Sequence, residues 1–353
     1  MQKANSGDEN PCRGSEVGEP SLPDDPIAKF LLAHDLVATL SEAAFTMLTG
    51  GVASNIWRVD TPKRTFVVKK ALPQLRVAQL WNAPVSRNAS EVDWLLEAGR
   101  VLPDAVPTIL ASDAHAGIFA MSFFDPARFP VWKHELRAGK AASSFAGRVG
   151  HNLATIHAST AGSPYIAHRF ANDKAFHSLR IEPYLEATAR LHADLAEPLF
   201  QLASDTLSSK YALVHGDVSP KNILVGPNGP VFLDAECAWF GEPAFDLAFC
   251  LNHFLLKCLW VPSAREVLLS SFDELAASYL ARVDWESSAD IEARASRLLP
   301  ALLLARVDGK SPVEYIDAEV DKDCVRRVAR RFILSPPLQL LDIRYAWAQE
   351  ISQ

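Results

Sequence analysis

The chain has 353 residues, of which 49% are hydrophobic and 22% charged. That length exceeds one small core, so a large domain or two lobes with a cleft between them is expected, and the composition excludes global disorder. A formal charge of -7, from 35 basic against 42 acidic residues, speaks against nucleic-acid binding, which needs a clustered basic excess. Small molecules are the expected partners.

The first 26 residues, "MQKANSGDENPCRGSEVGEPSLPDDP", are rich in Gly, Pro, Ser and acids and hold no apolar signal-peptide region, so 1–26 is expected to be a flexible tail. Within 44–70, "FTMLTGGVASNIWRVDTPKRTFVVKK" alternates apolar strand runs with turn signals, which predicts two or three antiparallel strands. "APVSRNASEVDWLLEAGRVL" places Val92, Leu95, Leu96 and Val101 at helical spacing, and "TILASDAHAGIFAMSFF" predicts a second pair of strands. Residues 27–122 therefore form a small unit of sheet plus one helix.

From 123 to 353 the pattern is mostly helical, over stretches such as "FAGRVGHNLATIHAST", "YLEATARLHADLAEPLFQLASDTL" and "REVLLSSFDELAASYLARV". "FDLAFCLNHFLLKCLW" (245–260) is interrupted by Asp246, His253 and Lys257 and is too short to span a bilayer, so it is expected to be a buried helix, with no membrane partner. Five scattered cysteines (Cys12, Cys237, Cys250, Cys258, Cys324) with no CxxC pair suggest reduced thiols, and a cytoplasmic location is expected. Oligomeric state is not legible.

The exception to the helical pattern is "VHGDVSPKNILVGPNGPVFLDAE" (214–236), where two strand candidates flank a "PNG" turn. A hairpin returns its ends to one place. It can thus bring Asn222 and Asp234 together as oxygen ligands for Mg2+ and leave Asp217 on a loop nearby. A base, an Asn ligand and a following Asp ligand are the parts of a phosphoryl-transfer site, so the expected reaction is phosphoryl transfer to a hydroxyl. The competing reading is that these are ordinary turn residues.

"HGDVSPKN", "LDAE" and "GEPAFDLA" resemble the catalytic and metal-binding segments of the aminoglycoside phosphotransferase and choline kinase superfamily. The resemblance implies a protein-kinase-like α+β fold, with a small β-rich lobe and a larger helical one. It also implies Asp217 as catalytic base, Asn222 and Asp234 as metal ligands, and Asp246 as a structural anchor for the loop. Within the superfamily the chain is most similar to 5-methylthioribose kinases, which have a D-x-E metal pair like Asp234 and Glu236 and an Arg and Glu like Arg87 and Glu91. Two residues depart from that subfamily. Asn222 stands where a serine is expected, and "LLLARVDGKSP" offers a single arginine, Arg306, where adjacent arginines are expected.

An ATP site needs an ammonium held against the α- and β-phosphates. Lys69, which follows "FVV", is the candidate, with Glu91 as its partner, and Lys70 points to the opposite strand face. Gly50 and Gly51 in "TGGVASN" would let backbone amides approach phosphate, although Gly-Gly is equally a hairpin turn. "MSFF", with Met121 and Phe123, would meet the adenine. Glu236 is a second metal ligand or a surface acid. Arg306 and Lys310 are the candidate acceptor contacts, and they favour a neutral or anionic metabolite. An aminoglycoside or choline-like amino alcohol, which would need carboxylates, stays open, as does a nucleotide-binding pseudokinase.

Overall fold

The computed structural model describes residues 17–20, 23–48, 54–72, 87–140 and 142–352. By contact the chain divides into two units, Met1–Val85 with Leu110–Phe123, and Ser86–Ile109 with Phe124–Gln353.

The first unit contains β1 (Val17–Pro20), α1 (Asp25–Ala33), β2 (Ala44–Leu48), β3 (Ser54–Asp60), β4 (Thr65–Ala71), β5 (Ile109–Asp113) and β6 (Ile118–Ser122). They make one sheet in the order β1-β2-β3-β4-β6-β5, with antiparallel pairing through β2, β3, β4 and β6. Regular structure begins inside the segment expected to be a tail. The backbone of β1 pairs with β2, and α1 starts at Asp25 because the Asp24 carboxylate accepts from the Ile27 amide and Pro26 fits the first turn.

Ile27, Phe30 and Leu31 of α1 cover one sheet face, packing with Phe45, Trp57, Val59, Phe66, Val68 and Ile118. These strand residues alternate, as a half-covered sheet requires. On β4, Lys70 shares the face of Phe66 and Val68, and its ammonium pairs with Asp24 at the start of α1. Lys69 takes the other face and is 3% exposed. Gly50 and Gly51 lie outside the described residues.

The second unit opens with α2 (Arg87–Val101), then α3 (Trp132–Arg137), α4 (Ser143–Thr160), α5 (Pro164–Arg169), α6 (Asp173–Phe176), a π-helical segment at His177–Glu186, α7 (Ala187–Leu191) and α8 (Ala196–Ser208). Four short strands follow, β7 (Ala212–Val214), the hairpin β8 (Ile223–Gly226) and β9 (Gly229–Phe232), and β10 (Trp239–Gly241), which pairs with β7. The rest is α9 (Pro243–Trp260), α10 (Arg265–Leu280), α11 (Ser288–Asp308), α12 (Glu319–Leu334) and α13 (Leu340–Glu350).

Helix α2 was grouped with the sheet by sequence, yet its contacts place it in the second unit. Arg169 binds its Asp93 and Glu97, and the Trp94 ring meets His215 edge-on at 4.7 Å. Leu96, expected on its apolar face, is 44% exposed, because the buried face runs through Glu91, Trp94, Leu95 and Ala98. The helical stretch from Tyr184 is interrupted at His192, whose backbone leaves the helix (φ -116°, ψ 82°), and it is preceded by a wide π segment around Pro183, which has no N–H to close a normal turn.

Helix α9 is the core of this unit, buried at every residue from Pro243 to Cys258. No helix among the described residues is long and apolar enough to cross a membrane. Beside it α4 and α10 approach closely through Gly150, where an added Cβ would meet the Leu275 carbonyl at 2.3 Å. Gly150→Ala must therefore force the helices apart. It is expected to cost about 1–3 kcal/mol, read as a lowered urea midpoint against wild type.

Candidate active site

The loop after β7 is held from beneath by one residue. Asp246, fully buried in the first turn of α9, accepts the amide of His215 at 2.7 Å and that of Gly216 at 2.8 Å. Pro243 and the Glu242 cap, which accepts from the Ala244 amide at 3.1 Å, start α9 at the place that puts Asp246 there. His157 donates its Nε2–H to the same carboxylate at 3.3 Å, and the Tyr279 hydroxyl donates to His157 Nδ1 at 2.8 Å. Since a carboxylate only accepts, the tautomer follows.

Gly216 has φ +79°, and an added Cβ would lie 2.8 Å from the Cβ and carbonyl oxygen of Cys237. Only glycine fits there. His215 accepts the Asp217 amide on Nδ1 at 3.1 Å and donates Nε2–H to the Leu233 carbonyl at 3.1 Å. Burial holds its imidazole below the ordinary value, so it is a neutral scaffold joining the loop to the hairpin.

Asp217 is 6% exposed, and its Oδ2 lies 3.0 Å from Arg180 and 3.2 Å from Lys221. Burial alone would raise its carboxyl, but Lys221 and Arg180 outweigh that and hold it below the ordinary range. Solvent screens Lys221, whose side chain is 56% exposed. Arg180, 9% exposed, is the firmer partner, and it also donates to the carbonyls of Gly216 and Leu179. No motif pointed to Arg180. It lies in the irregular π segment, where helical spacing carries no signal.

The hairpin closes as its spacing predicts. Ile223 pairs with Phe232, and the Leu233 amide donates to the Asn222 carbonyl at 2.9 Å. Asn222 Nδ2 donates to the Asp217 carbonyl at 3.1 Å, so its Oδ1 is the atom left to face a cation. Asp234 turns away from the strand with φ +68°, a left-handed conformation that Asp tolerates. Ligand oxygens of Asp234, Glu236 and Glu91 lie within 4.8 Å of one another, and buried Arg87 binds Glu236 at 2.9 Å. Three converging carboxylates are hard donors that suit Mg2+.

Sequence reasoning assigned Glu91 to Lys69, which is in the other unit; within its own unit Glu91 joins the acids of the hairpin end. Met121 and Phe123 sit at the end of β6, with the Arg58 guanidinium 4.7 Å over the Phe123 ring, and the units divide after Phe123. Lys310 is an exposed partner of Glu182 at 2.6 Å, while Arg306 binds the Tyr184 hydroxyl at 3.1 Å. Cys237 is buried, and burial pushes its thiol up to about 12, which excludes a reactive thiolate. A depression of about 390 Å3 between Pro262, Glu266 and Ile351 contains none of these residues.

Two outcomes are expected. Asp246→Ala orphans two buried amides and should cost roughly 2–5 kcal/mol, measured by urea denaturation, with loss of any activity carried by the loop. Acidification should also destabilise the chain. His215 and His253 both lie below the ordinary histidine value of 6.5 when folded, so below that pH the unfolded chain binds protons that the folded chain refuses. Stability should fall by up to about 1.4 kcal/mol per pH unit for each, seen as a lower urea midpoint at pH 5.5 than at 7.5. Asp217 acts in a separate window: its contribution is present above 3.8 and is lost as pH falls through its lower folded value.

The sequence profile of the phosphotransferase enzyme family (APH) matches residues 45–264. The methylthioribose kinase of Yersinia enterocolitica is 25% identical over 222 residues, covering 56% of this chain and 55% of that protein. That of Erwinia tasmaniensis is 26% identical over 250 residues, covering 60% and 62%. The chain thus spans little more than half the length of these curated relatives. Among solved structures, a choline/ethanolamine kinase family protein from Mesorhizobium loti aligns with a TM-score of 0.50 at 15% identity, covering 93% of this chain and 99% of that one. An amicoumacin kinase bound to AMP-PNP and Ca2+ aligns with a TM-score of 0.50 at 12% identity, covering 86% and 92%. The fold is the α+β, kinase-like one, and the chain belongs to the phosphotransferase enzyme family.

Proposed function

We propose that this chain is an ATP- and Mg2+-dependent kinase that transfers the γ-phosphoryl group to a hydroxyl of a small metabolite. One observation carries the reading. Asp217 is held ionised by Arg180 and Lys221 on a loop pinned to Asp246, beside a hairpin end where Asp234, Glu236 and Glu91 converge.

In this reading Asp217 orients the acceptor hydroxyl and takes its proton. The acceptor oxygen forms a bond to the γ-phosphorus as the bond to the β-phosphate bridging oxygen breaks, and ADP leaves. Asn222, Asp234 and Glu236 would hold Mg2+, which when bound neutralises phosphate charge. Lys69 orients the phosphates, with Gly50, Gly51, Met121 and Phe123 as further nucleotide contacts. A carboxyl below the ordinary range suits this work, because a loose transition state needs positioning more than a strong base. Arg180 keeps the carboxylate in place.

The curated relatives named methylthioribose kinase support a sugar-like acceptor. The single Arg306 and the Lys310–Glu182 pair give that choice no further support. Asp217→Ala is expected to leave ATP affinity nearly unchanged, by calorimetry, and to remove turnover. Retention of about a tenth of wild-type turnover would overturn the role given to Asp217.

A further inference from the structure

Next to Arg180 lies a group of buried basic side chains that proton transfer at Asp217 does not use. His253 on α9 is 6% exposed, and among the described residues neither ring nitrogen has a hydrogen-bond partner. Its ring meets Phe249, one turn earlier, at 5.6 Å. One turn later Lys257 is 1% exposed, and its ammonium donates to the Tyr315 hydroxyl at 3.3 Å. Positions 249, 253 and 257 share one helix face.

Burial acts most strongly on His253, and the largest charge influences on it come from cations, Lys257, Arg306, Lys221 and Lys133. Arg306 donates through one terminal nitrogen to Tyr184 at 3.1 Å and to the Ser311 hydroxyl at 3.0 Å, while its buried Nε has no partner among the described residues. The Tyr184 ring lies 5.7 Å from the Arg306 guanidinium and 5.8 Å from that of Arg180. Phe249 lies 5.7 Å from Arg180 as well. The basic face therefore continues, side chain to side chain, to the residue that holds Asp217.

Nearby carboxylates are already committed, Glu314 to Lys133 and Asp217 to Arg180 and Lys221. Burying an ammonium, a guanidinium edge and an unsatisfied imidazole together is costly unless an anion takes up their hydrogen bonds. Burial and Lys133 push Lys257 down to about 7 against the opposing charge of Glu314, whose carboxylate is paired with Lys133. A cationic acceptor would instead need open aromatic faces or carboxylates. The stacked Trp260 and Tyr315 rings, 4.5 Å apart, already carry Lys257, Lys133 and Arg137 within 5.8 Å.

We propose that the phosphate acceptor bears an anionic group, a carboxylate or a phosphate ester, in addition to its hydroxyl, and that His253, Lys257 and the Arg306 Nε edge bind that group. The proposal rests on the kinase reading above and narrows it to acidic metabolites.

The test titrates matched probes into the full chain holding Mg2+ and a non-hydrolysable ATP analogue: glycerate and glycerol 3-phosphate as the two anion sources, with glycerol and 2-amino-1,3-propanediol as neutral and cationic counterparts. An anionic probe is expected to bind more tightly than both counterparts, and Lys257→Met should weaken it about 10- to 100-fold with nucleotide affinity unchanged. His253→Gln should weaken it in the same direction; if that variant folds poorly, Lys257→Met, which preserves the buried stem, decides. The idea is overturned if glycerol or the amine binds as tightly as its acidic counterpart. It is also overturned if neither anion binds below about 10 mM while nucleotide does, or if Lys257→Met leaves anion affinity unchanged. Failure of wild type to bind Mg2+ and nucleotide would instead remove the kinase reading, and this inference with it.

Discussion

Two successive backbone amides, those of His215 and Gly216, donate to the single buried carboxylate of Asp246, and the site is arranged around that pair of bonds. A buried amide without an acceptor is costly, so the loop has one stable seat. Gly216 is required there because its positive φ presents the amide and its missing side chain admits Cys237. With the loop seated, His215 reaches the Leu233 carbonyl and fixes the hairpin to it. One anion at the start of a buried helix thus sets the positions of Asp217, Asn222 and Asp234.

The second unit carries two opposed charge environments. Glu91, Asp234 and Glu236 converge with Arg87 as a partial counter-charge, a combination suited to a divalent cation. Beyond Arg180 the surroundings of His253 are basic. Arg180 stands between them: it binds Asp217, lies against Tyr184 and Phe249, and feels the charge of Asp234. A carboxylate held in this way stays ionised despite burial, which the enclosed environment alone would oppose.

Much of the site was legible because its chemistry is local in sequence. The five-residue step from Asp217 to Asn222, the two-residue turn and the return to Asp234 are short-range constraints, and a hairpin has only one way to satisfy them. The buried helix was legible over 245–260 from its apolar run, and the strands of the first unit from their alternation. The start of regular structure was misjudged, since β1 depends on pairing with β2 and the composition of a tail does not reveal an edge partner. The helix α13 went unread for a similar reason. Its apolar residues are few, and Leu340, Ile343 and Trp347 become a buried face only against other helices.

The order of chemical groups along the chain, the strand and helix periods, and the glycine, proline and cap positions were determined by the sequence itself, because each acts over a few residues. Tertiary structure alone decided that Arg180 would hold Asp217, that α2 would lie with the second unit, that Glu91 would join Asp234 and Glu236, and that His253 and Arg306 would share one basic neighbourhood. Those pairings join residues far apart in the chain. They are fixed by which buried charges and amides must find partners once the helices pack, and that requirement has no period that a single sequence can display.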